Sequence, residues 1–151
     1  MCGFVCAGVW LGGLWFGHRI WHSRIGDDGA CALAEVLRLG GAEVQLEYLE
    51  VFDSGVGSRG CRALGVSLMV GANKSLQTLR LDYNDQVGSE GCVNIARGLR
   101  SNVSLKQLHL PYCDIGPSAG QPLGEALAFP QVQGPVQGAQ EALAGSRFGC
   151  S

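Results

Sequence analysis

The sequence predicts an α/β fold assembled from repeated strand–turn–helix units. Apolar runs of the form Leu-x-x-Leu-x-Leu, or close to it, recur in "LEYLEVF", "LQTLRLD" and "LKQLHLP". A glycine turn follows each run, and behind each turn stands a segment with Leu or Ile at i and i+4. Alternation with period two marks a strand and the i, i+4 stripe marks a helix, so one strand and one helix repeat at a fixed spacing.

The apolar strand positions are Leu46, Leu49 and Val51, then Leu76, Leu79 and Leu81, then Leu105, Leu108 and Leu110. In each run the Leu-x-Leu step sends two side chains to one face and their neighbours to the other. A small polar residue follows at Ser54, Asn84 and Cys113, where backbone groups at the strand end need partners. Val56, Val87 and Ile115 then plug the core ahead of the turn. The turns carry Gly26/Gly29, Gly57/Gly60, Gly88/Gly91 and Gly116/Ala119, and the helices carry Leu33/Leu37, Leu64/Leu68, Ile95/Leu99 and Leu123/Leu127. Beside the first member of each helical pair stands a small residue, Ala34, Gly65, Ala96 or Gly124, expected to let neighbouring helices pack closely.

These motifs, over about residues 24 to 129, resemble the leucine-rich repeat family, specifically the ribonuclease-inhibitor-like class also found in the C-terminal regions of NOD-like receptors and in Ran GTPase-activating proteins. The resemblance implies a short right-handed βα solenoid, a horseshoe segment with parallel strands on the concave side and helices on the convex side. Physical reasoning concurs, because one such unit cannot bury its apolar face alone and stacked neighbours must complete it. The chain departs from the family pattern in uneven spacing, in an additional loop residue at Asp85-Gln86, and in Pro122 near a helix start.

Residues 1–23 are expected to form an apolar cap or degenerate repeat, 24–129 about three and a half repeats, and 130–151 a disordered tail rich in Gly, Gln and Pro. Ile20, Ser23 and Ile25 fit the strand, polar and plug positions of the degenerate unit. The apolar run at 2–17 is short for a membrane span and lacks the basic flank of a signal peptide, so no membrane association is expected. Cys2, Cys6, His18 and His22 fall one residue short of zinc-finger spacing, but the intervening glycines argue against a helix, and no metal or other cofactor is expected.

Seven cysteines are an odd number, and Cys61 and Cys92 share one repeat position near a helix start. Reduced buried thiols and a cytoplasmic location follow as expectations. Asn73 and Asn102 form sequons, yet both lie between helix end and strand start, where Asn serves as a C-cap tolerating a left-handed backbone. A net charge of −2 implies no face for nucleic acid.

"DSGVGSRG" contains a full G-x-G-x-x-G at Gly55, Gly57 and Gly60, between strand-like and helix-like segments, with Asp82 downstream as in dinucleotide folds. Gly57 and Gly60 nevertheless recur in the other units, so the motif reads as a repeat turn. No small-molecule substrate is expected.

The outward strand positions align as Glu47/Gln77/Lys106, Tyr48/Thr78/Gln107, Glu50/Arg80/His109, Phe52/Asp82/Pro111 and Asp53/Tyr83/Tyr112. Aromatic side chains with polar tips, set beside Arg, are enriched in binding hot spots. Glu50, Phe52, Asp53, Arg80, Asp82, Tyr83, His109 and Tyr112 are therefore the expected contacts with a partner protein, with Arg80, Tyr83 and Tyr112 exposed. His109 and Asp82 could form a dyad, but Cys113 lies inward, and no catalytic set stands out; a non-enzymatic role is expected. The two functional expectations are a protein-interaction module and, by family resemblance, a regulator of an enzyme of the GTPase-activating or ribonuclease-inhibiting kind.

Overall fold

A computed structural model describes residues 10–11, 14–15, 17–39, 45–69 and 73–128. Cys2, Cys6 and the expected 130–151 tail lie outside the described residues. Two short strands, β1 (Trp10–Leu11) and β2 (Leu14–Trp15), pair antiparallel. Strand then alternates with helix: β3 (Gly17–Trp21), α1 (Gly26–Leu39), β4 (Tyr48–Phe52), α2 (Ser58–Ser67), β5 (Thr78–Arg80), α3 (Gly88–Leu99), β6 (Gln107–His109) and α4 (Gly120–Leu127). Among the described residues β3 to β6 form one parallel sheet in chain order. The register places Glu50 opposite Arg80 and Arg80 opposite His109, as the aligned columns anticipate, and it extends the same rows to Arg19 and Trp21 of β3.

The core lies between sheet and helices. Leu49, Val51, Leu79, Leu81, Leu108 and Leu110 supply the strand side, and Leu37, Leu64, Leu68, Ile95, Leu99 and Leu123 the helix side, all buried in one cluster. Burial of Leu and Ile side chains contributes roughly 1.5–3 kcal/mol each, and stacking the units makes that burial complete.

Polar side chains stitch each unit to the one before it. Ser54 Oγ donates to Ile20 O at 3.4 Å, Asn84 Nδ2 to Val51 O at 2.8 Å, and Cys113 Sγ to Leu81 O at 3.0 Å, a ladder at the positions the sequence marks as polar. Asn84 does most, because its Oδ1 also accepts from the Ser54 and Val56 amides at 3.0 and 3.1 Å. A second ladder runs at the other end of the strands. Asn73 Nδ2 donates to Leu37 O and Asn102 Nδ2 to Leu68 O, while each Oδ1 accepts from the two following serine and leucine amides. These asparagines thus bond, through the side chain, a carbonyl near the end of the helix one unit back from the one they follow. The left-handed backbone expected of them is absent, and positive φ among non-glycine residues occurs elsewhere. Both are buried and engaged at both amide atoms, which leaves no free nitrogen for a glycan.

Helices α2 and α3 touch backbone to backbone. A Cβ on Gly65 would collide with the Asn94 carbonyl oxygen, and one on Gly98 with the Gly65 carbonyl. Gly65 therefore acts as expected, Gly98 shares the task unanticipated, and Gly124 differs, since a Cβ there meets nothing within 4 Å. Gly98→Ala is expected to lower unfolding free energy by about 1–3 kcal/mol, because backbone cannot yield to the methyl. Gly124→Ala, whose methyl enters open space within α4, should instead raise it by about 0.5–1 kcal/mol in urea titrations, because alanine favours the helix.

Candidate functional site

The glycine motif is the first candidate. Asp27, in the first turn of α1, reaches across to α2, and its Oδ1 accepts from the Gly57 and Gly60 amides, both at 2.8 Å. These are the donors a phosphate would take at a helix N-terminus. A carboxylate of the preceding unit already holds them and adds negative charge, so the motif is a capping device between repeats. Ser89 Oγ accepts from the Gly116 amide at 2.8 Å in the equivalent place two units on.

The outward face of the sheet carries a charged row. Glu50 Oε2 accepts from Tyr48 Oη at 2.8 Å and lies 3.3 Å from Arg19 Nε; Glu50 Oε1 lies 3.8 Å from Arg80 Nη1, and Arg80 Nη2 donates to Asp82 Oδ2. The Asp82 hydrogen bond raises the Arg80 pKa further above its ordinary value. Burial and the bond to Glu50 raise that of Tyr48. Alternation assigned Glu50 and Asp82 to the outward contact face, yet they retain only 4% and 2% exposure. Short carboxylates lie beneath long neighbours here, and Arg80, expected to be exposed, is itself partly covered while bridging them. Arg80 Nε, Asp82 Oδ1 and His109 Nδ1 are each buried with no hydrogen-bond partner. His109 and Asp82 consequently form no dyad through these atoms.

Below this row runs an aromatic one. Trp21 and Phe52 have ring centroids 6.1 Å apart, Phe52 and Tyr83 4.9 Å, and Tyr83 and Tyr112 4.4 Å with planes inclined by 23°, a stacked pair. The row crosses all four parallel strand ends. Tyr112 is 64% exposed and Tyr83 46%, and Trp21 is exposed as well. Trp21 and His22 were not read as site residues, although their places relative to Ile20 match those of Phe52 and Asp53 relative to Val51. His22 Nδ1 and Asp53 Oδ2 share a 2.7 Å hydrogen bond, and the His22 ring stands edge-on to Phe52.

Backbone strain concentrates in the same place. His22, Asp53, Tyr83 and Tyr112, at the same place in each unit, adopt φ of +49°, +43°, +60° and +57°, and Arg24 and Asp114 close by are left-handed too. Left-handed backbone is uncommon for bulky residues and costs about 1–3 kcal/mol at each position, which the surrounding structure must offset. A cleft beside the row is lined by His22, Arg24, Asp53, Tyr83, Asp85 and Gln86. Among the described residues no group of three or more His, Cys, Asp or Glu is gathered to hold a metal, and no helix is long and apolar enough to cross a membrane.

Residues 72–96 and 101–124 match the family model described as Leucine Rich repeat. Those segments contain β5 with most of α3 and β6 with most of α4, about a third of the chain, and the match supports a leucine-rich repeat protein. Such repeats are generally protein-interaction modules without catalytic activity. No curated protein matches the chain.

The repeat core also sets thiol chemistry. Burial pushes Cys61 up to about 12, Cys92 up to about 11 and Cys113 up to about 12. Thiolate is the reactive form, so these cysteines are inert while the repeats are folded. Iodoacetamide at pH 8 is expected to spare Cys61, Cys92 and Cys113 in the native protein and to alkylate them in urea, as read by peptide mapping. Arg80→Ala strands two buried carboxylates and is expected to destabilise the protein by roughly 2–3 kcal/mol. Pairing it with Asp82→Asn should recover part of that loss, measured by chemical denaturation.

Proposed function

We propose that the chain is a short solenoid of the ribonuclease-inhibitor-like class, with its repeat body at 24–129 extended by β3, and that it acts as a non-catalytic interaction module. Its strand face binds a partner protein through the row Trp21, Phe52, Tyr83 and Tyr112, flanked by Asp53 and by the Glu50–Arg80–Asp82–His109 network.

One observation carries this reading: the exposed Tyr83–Tyr112 stack sits on left-handed backbone that Asn or Gly would occupy with less strain. Two large rings at strained, solvent-facing positions contribute little to the core, whereas Tyr supplies contact area at low entropic loss in an interface. A cytoplasmic location is part of the proposal, supported by the buried thiols and by the occupied amides of Asn73 and Asn102.

The test is affinity capture from cell extract with wild type and a Tyr83→Asn/Tyr112→Asn variant, leaving Arg80 in place because it is structural. Asn tolerates the left-handed conformation, so the variant is expected to unfold within about 1 kcal/mol of wild type. A partner retained by wild type and lost by the variant is the expected outcome; identical capture by both would contradict the proposal. Where the captured partner is an enzyme, its turnover with and without the chain separates a regulator from a scaffold.

A further inference from the structure

The aromatic row has a consistent electrostatic border. Tyr83 is followed two residues later by Asp85, and Tyr112 two residues later by Asp114, so adjacent units present the same Tyr-x-Asp element. Both aspartates are exposed and carry no ion pair or side-chain hydrogen bond among the described residues. Asp53, on the unit before, uses Oδ2 for His22 and has a second oxygen to spare. Asp82, immediately before Tyr83, is buried with Oδ1 unpartnered and its other oxygen held by Arg80. The cleft brings three of these features together, because Asp53, Tyr83 and Asp85 line it jointly. Its positive member, Arg24, belongs to the first unit, whereas the acidic and aromatic stretch runs from β4 toward β6.

From this arrangement we infer that the partner segment seated on the row is basic, and that it presents an arginine to the Tyr83–Tyr112 stack. This inference rests on the interaction surface proposed above and specifies its chemistry. Rings attract a cation through the negative face of their π-systems. Carboxylates beside the rings in sequence would accept the guanidinium hydrogens. Asp85 and Asp114 each follow a ring of the stack by two residues, on neighbouring units whose strands pair directly, and both carboxylates are exposed. Arginine satisfies both demands at once, since its plane lies flat on the ring while its donors point outward to the acids; lysine offers a point charge and no plane. Tyr112 is the available platform, as one of its faces is stacked on Tyr83 and it remains largely exposed.

The test uses the whole chain and three blocked peptides, Gly-Gly-X-Gly-Gly with X as arginine, lysine or glutamate, titrated at low salt while the ring protons of Tyr83 and Tyr112 are followed by NMR. The arginine peptide is expected to shift both rings and to bind more tightly than the lysine peptide, with the glutamate peptide silent. Asp85→Asn/Asp114→Asn should weaken the arginine peptide about fivefold or more. Equal shifts from arginine and glutamate peptides, absence of any arginine-induced shift, or unchanged affinity in the double variant would each overturn the inference. Capture of the cellular partner separates this from the broader reading: a partner lost with Tyr83→Asn/Tyr112→Asn but retained by Asp85→Asn/Asp114→Asn leaves the surface standing and removes the arginine.

Discussion

Each unit of this chain is finished by the side chains of its neighbour, and that dependence governs everything else. Asn84 alone closes the Val51 carbonyl and the Ser54 and Val56 amides of the preceding turn. Asp27 caps the start of α2 from the unit before, and Asn102 bonds the Leu68 carbonyl just beyond the end of α2 from the unit after. Buried backbone groups left unpaired would cost about 1–3 kcal/mol apiece, so a unit separated from its neighbours loses hydrogen bonds as well as apolar contact. The array therefore holds its strand ends in a fixed relation, and the side chains projecting from them inherit that rigidity.

On this scaffold the outward face departs from what stability alone would choose. The left-handed φ of Tyr83 and Tyr112 stores strain where their rings pack on each other and on Phe52 while remaining exposed. Beside them, Arg80, Asp82 and His109 keep hydrogen-bonding atoms unused in a buried setting. Strain and unmet polar atoms on the same face, next to exposed aromatics, are the features on which the proposed contact surface rests.

Much of the fold was legible in the sequence because Leu spacing and polar-ladder chemistry are local signals. Leu49, Leu79 and Leu108 face inward, as their alternation requires. The polar positions Ser54, Asn84 and Cys113 make the bonds their types permit. Other features arise only between units and leave little trace in one segment. Glu50 and Asp82 sit in outward register but are covered by Tyr48, Arg19 and Arg80, so the rule of polar outside gave the right face and the wrong exposure. Strand β3 lacks the Leu-x-x-Leu opening, so Trp21 and His22 did not enter the aligned columns of expected contacts. The amides of the glycine motif are held by Asp27, thirty residues upstream of the first of them, a pairing no local pattern reveals.

The most direct test of this dependence between units is native-state hydrogen exchange of the Ser54, Val56, Gly57 and Gly60 amides. They lie in a turn and the first turn of a helix, where exchange is ordinarily fast. If Asn84 and Asp27 bind the units together as described, these amides will exchange as slowly as that of Leu79 in the central sheet, with the free energy of global unfolding. Exchange there at the rate of an open loop, while the sheet stays protected, would contradict the account and reduce the repeats to loosely associated neighbours.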